Sequence, residues 1–192
     1  MISNSKPISE KLSFQILHLI KSRTFKIVLF AILTAVSAQV AIPVKPVPFT
    51  LQTMLVVLSG ALLGARYGAY SQIFYLLLGI TGLPVFAQVP DAPLGLARLI
   101  GPTGGYLIAF PAAAFLTGYL IEKSDRYLNV VLAMFAGSLL ILFSGTLFLY
   151  VFYLHNFSEA VKAGAALFTI WAVVKIFTAS FIYSGLKSSL KK

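Results

Sequence analysis

Between Arg98 and Tyr106 the chain reads Arg-Leu-Ile-Gly-Pro-Thr-Gly-Gly-Tyr, which gathers a fixed cation, a hydroxyl, a phenol and three glycines into nine residues. Arg98 can grip a carboxylate through two parallel N–H donors, and Thr103 and Tyr106 can each add a hydrogen bond. Gly101, Gly104 and Gly105 let backbone approach a bound molecule, and the amides opening a following helix are free to donate. The same residues could equally form a plain turn between two helices. No Lys-Ser/Thr follows the glycines, so the run is not a nucleotide-binding P-loop. A second polar group, Thr50, Gln52 and Thr53, follows the proline-rich run Pro43-Val-Lys-Pro-Val-Pro48, and a lone cation, Lys175, interrupts an apolar stretch near the C-terminus. A lysine at the centre of a helix in lipid costs about 2.5–3.5 kcal/mol, so it implies a partner, a wet cavity or a ligand.

The solvent in which these groups must be positioned follows from composition. Of 192 residues 59% are hydrophobic and 10% charged, and the mean hydropathy is +0.93, which is too apolar for an ordinary soluble domain and indicates an all-α integral membrane protein. The net charge of +10 comes from cations standing singly or in small groups between apolar runs. That is how topology signals are distributed, so nucleic acid is set aside as a partner. With no cysteine and two isolated histidines there is no basis for a disulfide, a thiolate metal site or an iron–sulfur centre. No apolar stretch carries a carboxylate, which argues against a proton relay and against an intramembrane acid–base pair.

Hydrophobic runs and breakers divide the chain into a cytoplasmic amphipathic segment (1–26), a six-helix membrane domain (27–186) and a basic cytoplasmic tail (187–192). In the first, Leu12, Ile16, Leu19 and Ile20 recur at helical spacing from Ser9 to Lys26, as in a helix lying on a membrane surface. The first span is expected over Ile27 to Val44, stopped by the prolines, with Ala31, Ala35 and Ala38 as a small-residue stripe. The second runs from Phe49 to Ala65, and Gly60, Gly64 and Gly68 mark a close helix contact. The third, Tyr70 to Gly82, would rise only about 20 Å, short of a hydrocarbon core of about 30 Å. The connection from Gly82 to Ala97 is too apolar for a merely solvated loop and is expected to fold back as a lid, with Phe86 and Gln88 facing the ligand. The fourth span is Gly104 to Ile121, kinked at Pro111. The fifth is Tyr127 to Tyr153, and a polar loop with His155, Asn156, Glu159 and Lys162 leads to the sixth, Ala163 to Leu186. Eleven cations then fall on one side against Lys45, Arg98 and Lys162 on the other, so the positive-inside rule predicts a multi-pass cell-membrane protein with both termini cytoplasmic.

Three runs carry a resemblance: Pro46-Val-Pro-Phe-Thr-Leu-Gln-Thr53, Gly82-Leu-Pro-Val-Phe-Ala87 and Gly101-Pro-Thr-Gly-Gly-Tyr-Leu107. In this order and spacing the chain resembles the BioY family, the biotin-specific substrate-binding (S) components of energy-coupling-factor (ECF) transporters. The likeness extends from the first span to the sixth. It implies an S-component-like bundle that captures biotin from outside, as transported ligand and not as cofactor, and delivers it with a transmembrane coupling subunit and two ATPase subunits. It also implies that Ala31 and Ala35, matching an Ala-x-x-x-Ala stripe, dock the coupling subunit. The expected biotin contacts are Thr50, Gln52, Phe86 over the sulfur ring, Gln88, Thr103, Gly104 and Tyr106; arginine's fixed charge and bidentate reach assign Arg98 to the carboxylate, leaving Lys175 for the ureido oxygen and Thr169 or backbone carbonyls to accept from the ureido nitrogens. Leu167-Phe-Thr-Ile-Trp-Ala-Val-Val-Lys175 departs from the family's Pro-Phe-x-Pro-Gly-Asp-x-x-Lys: Phe168 and the lysine remain, but Trp171 and Ala172 replace Gly-Asp. The alternatives are an autonomous facilitator for biotin or another small carboxylate vitamin, and a purely structural membrane subunit. An enzyme is not expected, because no nucleophile–base pair or metal set stands at useful spacing.

Overall fold

The computed structural model describes residues 22–88, 93–164 and 169–190, with the side chains of 169, 170 and 190 outside the description. The amphipathic N-terminal segment up to residue 21, Phe168 and the two last lysines therefore lie outside the described residues, as does 89–92 of the expected lid.

Helix α1 (Arg23–Gln39) starts where the Ser22 hydroxyl accepts from Phe25 N at 3.1 Å and caps the first turn. It ends at Gln39, short of the expected Val44. The chain instead enters a two-residue strand β1 (Ala41–Ile42) that pairs antiparallel with β2 (Phe49–Thr50), Ala41 opposite Thr50 and Ile42 opposite Phe49. The prolines thus form the tip of a hairpin, where their missing N–H groups cost no ladder bond. Helix α2 (Gln52–Leu63) and helix α3 (Ala65–Ile80) are separated only by Gly64 at φ 83°, a left-handed conformation that glycine adopts freely. Glu122 accepts from Ala65 N at 2.8 Å and caps α3 from across the bundle, which lets this helix begin five residues before the expected Tyr70.

Beyond the lid come α4 (Ala97–Ile100), α5 (Gly104–Ile108) and α6 (Phe110–Lys123). The expected kink in the fourth span is a break at Ala109, with Pro111 in the first turn of α6, where no amide is needed. Helix α7 (Tyr127–Leu149) continues as a π-helical turn (Tyr150–Leu154) that His155, at φ 53°, brings to an end. The segment expected as a polar loop is an amphipathic helix, α8 (Phe157–Gly164), started by Asn156, whose side-chain oxygen accepts from Glu159 N at 3.2 Å. Helix α9 (Thr169–Leu190) closes the description.

Helices α2 and α6 sit at the centre, each packed against several others. Their approach is set by glycine: a Cβ on Gly60 would stand 2.1 Å from Ala114 O, and one on Gly68 would stand 2.6 Å from Gly60 Cα. The surface inverts the pattern of a protein in water. Ile32, Val36, Phe143 and Phe181 point outward, while Thr34, Ser59, Ser71, Gln72, Thr117 and Ser180 have no exposed surface. Outward apolar and inward polar side chains suit lipid, where buried hydroxyls and amides tie helices together. Gln72 Nε2, for example, lies 3.1–3.3 Å from the hydroxyls of Ser59, Ser71 and Thr34, joining α1, α2 and α3. Among the described residues, two stretches, Gly104–Lys123 and Tyr127–Leu154, are long and apolar enough to cross a membrane.

The alanines of the expected docking stripe make contacts within the bundle. Ala31 has no exposed surface and belongs to the chain's own core, against which Ala35 also packs. Ala31 is turned inward, Ala35 is half-buried beside it, and the outer face of α1 carries Ile32, Leu33, Val36 and Val40.

Candidate functional site

One end of the bundle collects the charges of α1's start, the α6–α7 turn and α9's end, including the Lys187–Asp125 pair. The other end collects the hairpin, the lid and α4–α5, and there lies a cavity of about 40 Å³. Its walls come from all three runs that carried the resemblance and from two residues beside them: Val47, Pro48, Thr50, Gln52 and Thr53 from the hairpin and α2, Phe86 and Ala87 from the lid, Arg98 from α4, and Thr103, Tyr106, Leu107 and Phe110 from the turn before α5, α5 and α6.

Most of the polar walls are held by their neighbours. The Thr50 hydroxyl donates to Gln52 Oε1 at 3.1 Å, Gln52 Nε2 donates to the Tyr75 hydroxyl at 2.6 Å, and Tyr75 donates to Val85 O at 3.2 Å. Arg98, only 5% exposed, donates to Ala87 O. Burial lowers its guanidinium below the ordinary value, which is high enough that the charge remains. The Tyr106 hydroxyl donates to Gly164 O at 3.0 Å, and its ring fills the space left by Gly145, where a Cβ would come within 2.3 Å. Phe86 is packed edge-on to Tyr75 with ring centroids 5.5 Å apart and occupies the space beside Gly79.

Lys175 reaches the same hairpin from the far side. Its ammonium donates to Thr50 O at 3.2 Å and to the Thr53 hydroxyl at 2.8 Å, so this mid-helix lysine has found neutral acceptors in place of a carboxylate. It forms the floor of a second cavity of about 180 Å³, walled by Val40, Ala41, Ile42, Phe49, Leu51 and Trp171. Thr50 lines both cavities. Of the two departures from the family pattern, Trp171 forms a wall of this open apolar cleft and Ala172 does not line it.

Six of the expected contacts, Thr50, Gln52, Phe86, Arg98, Thr103 and Tyr106, surround the first cavity, and Lys175 faces the second. Two belong elsewhere. Gln88 is exposed and lines neither cavity; the inward positions of the lid are taken by Phe86 and Ala87. Gly104 serves the chain's own packing: a Cβ there would stand 1.8 Å from Leu99 O. Thr169 opens α9, but its side chain is outside the described residues. Tyr75, Phe110 and Gln39, which sequence reasoning passed over, support the site from within apolar helices where no motif flags them.

The family model described as the BioY family matches residues 10–192. This chain belongs to the BioY family. The biotin transporter BioY of Thermotoga maritima is 39% identical over 159 residues, covering 83% of this chain and 92% of that protein. The probable biotin transporter BioY of Pyrococcus horikoshii is 39% identical over 163 residues, covering 85% and 94%. The crystal structure of the S-component for biotin from an ECF-type ABC transporter matches with a TM-score of 0.79 at 23% identity, over 96% of this chain and 95% of that one. That last likeness is one of fold. The three runs that carried the resemblance are the same three that meet around the first cavity of this BioY-family chain, and the family is one of transporters, not enzymes.

Proposed function

We propose that this chain takes up biotin as the S component of an ECF transporter, binding the vitamin from outside and delivering it with a transmembrane coupling subunit and its ATPases. Helices α1, α2, α3, α5 with α6, α7 and α9 form six spans, with both termini on the cytoplasmic side. The short α2 is tolerable because most of it lies inside the bundle. The observation that carries the reading is the pair of cavities meeting at Thr50, one rimmed by polar groups and one apolar, with a cation in each.

Biotin divides the same way: a neutral ureido group on a fused ring, then an aliphatic tail ending in one carboxylate. The hydroxyls, amide and aromatic rings around Arg98 suit the ring system. The apolar chamber ending at Lys175 suits the tail. This favours the carboxylate at Lys175 and the ureido oxygen near Arg98, the reverse of the order expected from sequence. The test compares biotin with biotinol, its uncharged alcohol, on the two variants. Lys175→Met is expected to lose most of the preference for biotin, with affinity falling about 30-fold or more, as when one partner of a desolvated charge pair is removed. Arg98→Gln is expected to weaken both ligands alike. The opposite pattern puts the tail against Arg98, and no saturable binding of either ligand to the unmodified chain rejects the function. Uptake by this chain alone in vesicles without ATP would favour the autonomous facilitator.

A further inference from the structure

Gln39, the last residue of α1, lines neither cavity and belongs to none of the runs that resemble the family. It nonetheless holds the lid. The four carbonyls of residues 84–87 each stand within reach of a side-chain donor: Pro84 O and Phe86 O lie 3.2 and 3.4 Å from Gln39 Nε2, Val85 O accepts from Tyr75, and Ala87 O accepts from Arg98. This irregular strap, whose carbonyls accept from no backbone N–H among the described residues, is thereby suspended from α1, α3 and α4. Phe86 plugs it into the space beside Gly79.

The cavity beneath measures about 40 Å³, against roughly 300–1,000 Å³ for ordinary small-molecule sites, so a ring-bearing ligand passes only if the strap lifts. The holds are not equal. Tyr75 and Arg98 are buried, and freeing either would leave a desolvated donor unpaired. Gln39 is exposed, and its amide already lies 3.4 Å from Ala35 O of its own helix, an acceptor to which it can turn when the strap leaves. The Gln39 hold is therefore the first to break.

We infer that Gln39 is a positioning residue for ligand retention, a latch that ties the strap over the cavity to the last turn of α1. The inference rests on the reading that this cavity is the ligand site. It makes the position of α1's end a determinant of ligand release, and linkage makes the effect reciprocal: a closed strap holds α1 in place.

The experiment measures release of radiolabelled biotin from the purified full chain carrying Gln39→Met, which keeps the length without the donor, Gln39→Glu, which presents acceptors to acceptors, and Gln39→Lys, which restores a donor. Losing one or two neutral hydrogen bonds should speed dissociation about three- to tenfold in Gln39→Met. Gln39→Glu should release faster still, Gln39→Lys should retain slow release, and association rates should stay within about twofold. A second measurement needs no ligand. The chain has no cysteine, so Ala87→Cys reports strap opening through its maleimide-labelling rate, which Gln39→Met should raise by a similar factor. Unchanged release and unchanged labelling overturn the latch. So does a smaller binding-competent fraction with unchanged release, which would make Gln39 merely part of the fold. Faster labelling in a protein that binds no biotin keeps the latch and rejects the biotin reading.

Discussion

The two ends of the bundle hold helices together by different physics. At the charged end the contacts are backbone against backbone: Gly60 on Ala114, Gly68 on Gly60, Gly118 on Ala65. A neighbouring core of small and aliphatic residues, Val57, Leu58, Ala61, Val130, Ala133 and Ile176, fills the gaps. At the site end the core is aromatic, with Tyr75, Phe86, Tyr106 and Phe110, and the loops hang from side-chain hydrogen bonds to carbonyls. A glycine contact has no alternative partner, whereas a glutamine or tyrosine can exchange one acceptor for another. One end is held by contacts that cannot be exchanged and the other by hydrogen bonds that can.

The largest effect should come from breaking the rigid end. In Gly60→Val the first added carbon would already stand 2.1 Å from a backbone oxygen, which no rotamer relieves, and overpacking of this kind costs about 1–3 kcal/mol even where side chains can yield. The variant should yield no monodisperse protein on size-exclusion chromatography in detergent. Gly185→Ala meets nothing within 4 Å and should be neutral or up to about 1 kcal/mol more stable, because alanine is the better helix former. A well-folded Gly60→Val would mean that the charged end yields as readily as the site end.

The centres of the helices were legible in the sequence, and their ends were not. Hydropathy averages over a window, so it located the apolar bodies of α1, α6 and α7. The start of α3 depends on Gly64's left-handed backbone and on a carboxylate, Glu122, that arrives from another helix, and the hairpin that replaces the end of α1 depends on strand pairing. Window averages see neither. The site divides similarly. Thr50, Gln52, Arg98 and Thr103 could be picked out because polar groups beside apolar runs need a reason. Tyr75 and Gln39 could not, since a single tyrosine or glutamine on an apolar helix gains its role from whichever carbonyl tertiary packing sets opposite it. The alanine stripe was legible as a packing device, but which surface it packs against is a fact of rotation about the helix axis, and spacing alone leaves it open.

Ala31 tests that rotation with an intermediate effect. Because it is fully buried in the aromatic core, Ala31→Leu should lower the melting temperature and weaken biotin binding, with a cost of about 1–3 kcal/mol from overpacking. Ile32→Ala and Val36→Ala lie on the outer face of the same helix and should leave both unchanged within about 0.5 kcal/mol. Any loss of assembly with a coupling subunit should appear in the outer pair. The reverse, an Ala31→Leu protein that binds biotin normally but fails to assemble, would make the stripe the docking surface and turn α1 around.

The smallest expected effect lies at the charged end, in its one ion pair among the described residues. Lys187 donates to the Asp125 carboxylate beside the Tyr183 ring, and the hydrogen bond to Asp125 is the main reason its ammonium titrates above its ordinary value. Both side chains are partly open to solvent, Asp125 by 58%, so screening leaves the pair worth about 0–1 kcal/mol. The raised value fixes the sign. The contribution is complete below the unfolded lysine's pKa of about 10.4 and is lost as pH rises through the higher folded value, so at neutral pH it is fully present. Asp125→Asn should therefore lower the melting temperature by about 2 °C or less at low salt, by still less at high salt, and should not touch biotin release. A change in release from this variant would break the contrast between the ends, because a screened pair at the glycine-packed end would then be moving the strap at the other.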